Sequence, residues 1–119
     1  MDIELVDEEI IQQMIADTSA EVIPMLIDHY LEESQARLKV LDDAFQAQDV
    51  SVIEFESHTL GSSSLALGNR ELSNLARKIE HMCADGKGED ALQCHHDLLD
   101  IANRSLAALE QRKTLGFVD

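Results

Sequence analysis

Tryptophan is absent, tyrosine occurs once and phenylalanine three times, so aromatics make up only 3% of the 119 residues. There is one proline, while Leu, Ala, Glu, Ile and Asp are plentiful, and that balance favours helix. Two cysteines, Cys83 and Cys94, do not make a disulfide framework. No apolar run approaches the roughly 18 residues of a membrane span. Positive charge is scarce too: nine Lys and Arg against 24 Asp and Glu leave a net charge of −15. Nucleic acid is thereby disfavoured as a partner, because phosphate contacts need Lys and Arg. A Gly-rich phosphate loop and a P-loop lysine motif are both missing. The acidic opening, Met1-Asp2-Ile3-Glu4, argues against a signal peptide. These absences together lead us to expect a soluble, cytoplasmic, monomeric protein with no membrane association, folded as one domain over 1–119.

What is present is unevenly distributed. Residues 1–60 hold 15 acids and 2 bases, whereas residues 61–119 hold 9 and 7. The stretch 69–80 is locally positive, with Arg70, Arg77 and Lys78 against Glu71 and Glu80. An ordinary solvated helix face would look much the same.

Apolar spacing of three and four residues predicts one short helix and four longer ones. The short one covers 5–16, and Thr18 with Glu21 then fits a capping box. Pro24 sits comfortably only in the first turn of the next helix, 22–47, a length of about 26 residues or roughly 39 Å. A break at Gln46 to Asp49 leads to a helix near 50–67, which Gly68 can close in a left-handed conformation. Asn69 is a good N-cap for 70–84, whose stripe is Leu72, Leu75, Ala76, Ile79 and Cys83. Beyond Gly86 and Gly88, a final helix near 89–113 carries Leu92, His95, Leu99, Ala102, Leu106 and Leu109. Short joins between long amphipathic helices give an all-α fold, an antiparallel up-down four-helix bundle with a short extra N-terminal helix and core helices over about 20–113.

One helix has two contrasting faces. At about 100° per residue, Ile53, Leu60, Ser64 and Leu67 form its buried stripe, and His58 lies about 150° away. Phe55, Gly61, Ser62 and Leu65 surround His58 on the outer face. Two apolar and two small residues are an odd solvent surface and suit contact with a partner.

The stretch from His58 to Gly68 resembles the phosphorylation motif of histidine phosphotransfer (HPt) domains. His58, Leu60, Ser63, Ser64, Leu67 and Gly68 fit it, while Gly61 and Ser62 stand where lysine and glycine are usual. Serine at 62 is similar to the LuxU type of single-domain relay protein. The resemblance runs outward through Pro24 to Glu33, Leu41, Ala44 and Asp49, and on to Leu72, Leu75, Ala76, Ile79 and Glu80. It implies a phosphorelay intermediate, not a kinase, that takes a phosphoryl group on His58 from one receiver domain and hands it to another. The partners that the resemblance implies are the receiver domains of a hybrid sensor kinase and a response regulator, with quorum sensing as the pathway. It also implies that Mg2+ and the acceptor aspartate come from the receiver, so this chain carries no cofactor or metal.

Within that frame Lys78, or secondarily Arg77, is expected to supply the positive charge that Gly61 lacks. Gly61 would leave the imidazole open to a partner's cleft, and Ser62 would bond the carbonyl four residues back in preference to phosphate. Phe55 and Leu65 are the partner-binding candidates. A zinc site from His81, Cys83, Cys94, His95 and His96 competes weakly, since helix neighbours one or two apart point in different directions. His95 is expected to pack partly buried, and His29, His81 and His96 to lie at the surface. The alternative function is an acidic helical adaptor, or an HPt-like protein that binds a receiver without efficient transfer.

Overall fold

The computed structural model describes residues 3–119. Met1 and Asp2, the start of the acidic opening, lie outside them. Six α-helices follow one another: α1 (Glu8–Asp17), α2 (Ile23–Ala47), α3 (Val50–Ala66), α4 (Arg70–Ala84), α5 (Gly88–Leu92) and α6 (His95–Thr114). Single 3-10 turns precede α1 and α2. Among the described residues there is no strand, and no helix is long and apolar enough to cross a membrane.

Helices α2, α3, α4 and α6 pack in a ring, each against the next and α6 back onto α2. Their joins are short, so neighbours run antiparallel, as the apolar spacing predicts. Ile27 and Leu41 of α2, Ile53 and Leu60 of α3, Leu72 and Ile79 of α4, and Leu98 and Leu109 of α6 are fully buried in one cluster. Each such side chain contributes about 1.5–3 kcal/mol of burial.

The caps show where local rules yield to tertiary ones. The capping box of Thr18 and Glu21 does not form. Thr18 instead closes α1, its hydroxyl donating to the Met14 carbonyl at 2.6 Å. A 3-10 turn runs straight into α2, which is capped by Val22 without a side-chain bond, with Pro24 in the first turn. Gln48 takes the left-handed conformation that ends α2 (φ 57°), and Asp49 caps α3 by accepting from the Val52 N–H at 3.3 Å.

Asn69 stands at the N-cap of α4, but its side chain does not cap. It is fully buried, and its Nδ2 donates to the carbonyls of Leu5 (2.9 Å) and Ser105 (3.1 Å). Its Oδ1 accepts from the Tyr30 hydroxyl at 2.8 Å, and that hydroxyl also lies 3.1 Å from Ser64 Oγ. Gly68 closes α3 with φ +91°, and a Cβ there would come within 3.3 Å of the Asp7 carbonyl oxygen. Asp7 reaches this turn by donating its N–H to the Gly68 carbonyl at 2.8 Å. Its carboxylate meets Arg70, whose guanidinium holds it below the usual carboxylate range.

The expected last helix is two. Gln93 and Cys94 donate to Asp90 and Ala91, three residues back, and this tight turn separates α5 from α6. The turn shifts the phase of the stripe, so Leu98 is fully buried in place of Leu99, which is only half-buried.

Burial pushes the Tyr30 hydroxyl up to about 12, from an ordinary value of about 10. An unfolded phenol ionises first, so this group's contribution to stability is complete below about pH 10 and lost as pH rises through about 12. Tyr30 is the only tyrosine, so phenolate absorbance reads it alone. We expect its midpoint near 12 in the native protein and near ~10 in denaturant. A native midpoint at the denatured value would contradict the buried network.

Candidate functional site

His58 is placed by its own helix. With Ile53 and Leu60 fully buried, α3 has one rotation available, and it turns the imidazole outward with 65% of the side chain exposed. The α3–α4 turn mirrors residues about position 69, which brings Glu80 across from His58. Their side chains meet, with His58 Nδ1 2.7 Å from Glu80 Oε2. In the neutral ring the proton sits on Nδ1 and is donated to the carboxylate. Nε2 then carries the lone pair and faces solvent.

Glu80 is the residue that reading from sequence missed. The expected neighbours of His58, Lys78 and Arg77, stand just before this carboxylate in the same helix. Phe55, 68% exposed, joins Ser51, Glu54, His58 and Glu80 around a shallow depression of roughly 430 Å3.

Gly61 does not leave the ring open as expected. It is buried in the α3–α4 contact, where its carbonyl accepts from Ser73 Oγ at 2.7 Å. A Cβ on Gly61 would lie 3.0 Å from Arg77 Cγ and 3.6 Å from Arg77 Nε. The missing side chain therefore makes room for the Arg77 stem. Lys78, the first choice for a nearby cation, borders the same groove as Arg77, with His81, Asp85 and Lys87, and its charge also acts on Cys94. Ser62 Oγ donates to the His58 carbonyl at 3.3 Å, and Leu65 is half-buried further along α3.

The comparisons with known proteins bear on this arrangement. A family model described as Hpt domain matches residues 25–112, a span that contains His58, Arg77 and Glu80. The chain belongs to the Hpt domain family. It is 26% identical over 114 residues to proteins named phosphorelay protein LuxU from two strains of Vibrio vulnificus, YJ016 and CMCP6, covering 96% of this chain and 99% of each relative. Its fold is similar to the crystal structure of histidine-containing phosphotransfer protein B (HptB) from Pseudomonas aeruginosa PAO1. There the TM-score is 0.84 at 18% identity, over 95% of this chain and 97% of that one. The family membership makes this Hpt protein a histidine phosphotransfer intermediate of a phosphorelay.

Other histidines of this Hpt protein are placed differently. His95 is half-buried, stacked on Phe45 with ring centroids 4.7 Å apart, and bonded through Nε2 to Asp42 at 2.7 Å. That bond holds the Asp42 carboxyl below the usual range. His29, His81 and His96 are exposed. Burial pushes the thiols of Cys83 and Cys94 up. Among the described residues no three His, Cys, Asp or Glu side chains converge as metal ligands.

Proposed function

We propose that His58 accepts a phosphoryl group from the phospho-aspartate of one receiver domain and passes it to the aspartate of another, in a cytoplasmic phosphorelay. The observation that carries this reading is an outward-facing imidazole whose Nδ1 is held by Glu80 at 2.7 Å, leaving Nε2 as the reacting atom. In the forward step the Nε2 lone pair attacks phosphorus. The bond between phosphorus and the donor aspartate's oxygen breaks, and the carboxylate leaves. The ring becomes cationic as the N–P bond forms, and the Glu80 carboxylate offsets that charge. Attack by the next aspartate reverses each event.

Transfer of this kind depends on positioning and charge, so no strong base is needed. The receiver brings Mg2+ and the acidic cleft. Phe55, beside His58, and Leu65, further along the same helix, are the apolar contacts we assign to it. We take the receiver domains of a hybrid sensor kinase and a response regulator as donor and acceptor, with quorum sensing as the pathway class, on the resemblance of the His58 stretch to LuxU-type relay proteins.

The test is transfer itself. Radiolabelled receiver domains from the source organism, mixed one at a time with the purified protein, are expected to give label that is lost in acid and kept in base. Binding without label would support the adaptor reading instead.

A further inference from the structure

We infer that Arg77 supplies the positive charge for the phosphoryl group on His58, from a place that the glycine at 61 leaves free. The inference rests on the reading of His58 given above and assigns the neighbouring cation.

Three observations carry it. The first is position. Residues 58 and 80 face each other across the α3–α4 hairpin, and 61 and 77 mirror about the same point, so they form the next rung. One rung is three residues, or about 4.5 Å along the helix. Arg77 lies against the Gly61 backbone, with Nε 3.6 Å from where a Cβ would be, and its flexible end can cover that rung.

The second is its lack of a partner. Arg37 pairs with Glu56, Arg70 with Asp7, Arg104 with Asp100 and Arg112 with Glu8. Among the described residues, Arg77 has no carboxylate within ion-pair distance. In a chain of net charge −15 a guanidinium left over in this way is exceptional.

The third is need. A phosphoryl group adds about 1.5 to 2 negative charges beside Glu80 and within reach of Glu54, which lines the same depression. Glu80 balances the ring cation, so without a further cation the phosphoryl charge beside Glu54 would oppose the transfer. A guanidinium offers paired donors suited to phosphate oxygens.

The arrangement predicts an exchange between the two positions. A lysine at 61 would crowd the Arg77 stem, since its Cβ would sit 3.0 Å from Arg77 Cγ and the stem would have to shift by a few tenths of an ångström. With residue 77 cut back to alanine, the lysine has room and carries an equivalent charge.

Phosphoramidate is a suitable probe because it needs no partner: its N–P bond breaks, ammonia leaves, and phosphorus bonds to His58 Nε2. Arg77→Gln keeps the stem over Gly61 and removes the charge, so uptake is expected to slow about 10-fold while the thermal midpoint holds. Arg77→Lys should keep most of the rate, and Gly61→Lys/Arg77→Ala should recover most of what Arg77→Ala loses. Wild-type uptake in Arg77→Gln, or a double variant no faster than Arg77→Ala, would overturn the inference. Failure of wild-type His58 to take label would overturn the reading beneath it instead.

Discussion

His58→Gln is expected to carry no acid-labile label from any donor, and Glu80→Ala to take it up about 10- to 100-fold more slowly, the loss typical when a partner orienting a reacting imidazole is removed. The two variants act at different points. Glutamine at 58 deletes the nucleophile. Alanine at 80 leaves it in place but frees Nδ1, so the ring samples both tautomers and several rotations, and the cation formed during transfer loses its counter-charge. Glu80→Gln separates these effects, because its amide oxygen can still accept from Nδ1–H without offsetting charge. Its rate should fall between wild type and Glu80→Ala. Stopped-flow or quench measurement of label transfer checks the series, and equal rates for all three residues at 80 would remove Glu80 from the mechanism.

Asn69→Ala is the substitution expected to harm the fold most. It strands the carbonyls of Leu5 and Ser105, and leaves the Tyr30 hydroxyl with Ser64 and Ser34. Unsatisfied buried groups of this number cost about 3 kcal/mol, or on the order of 10 °C in melting temperature. Tyr30→Phe should cost less, and the double variant less than the two together, since both remove the same bond. Thermal melts followed by circular dichroism decide it. A loss under about 1 kcal/mol would show the network to be replaceable by water.

Elements governed by local periodicity were legible in the sequence. The stripe of Ile53 and Leu60 orients α3, that of Leu72, Ala76 and Ile79 orients α4, and Gly68 marks the turn between them. The long amphipathic helices and short joins are enough to give the bundle. What could not be read depends on partners distant in the chain. Asn69 offers the same side chain to a local cap or to the Leu5 carbonyl 64 residues away, and burial decides for the latter. The break at Gln93 and Cys94 carries no glycine or proline to announce it. Gly61 looked like clearance for a partner because Arg77, which fills that clearance, lies 16 positions later on another helix. Glu80 was one of many carboxylates until the hairpin placed it 2.7 Å from His58.

The nitrogen that bears phosphorus is the most direct measurement of the central claim. Long-range proton–nitrogen correlation spectra of the phosphorylated protein, labelled with 15N, distinguish the two ring nitrogens. The geometry predicts phosphorus on Nε2 of His58 with Nδ1 still protonated toward Glu80. Phosphorus on Nδ1, or on any other side chain, would contradict it.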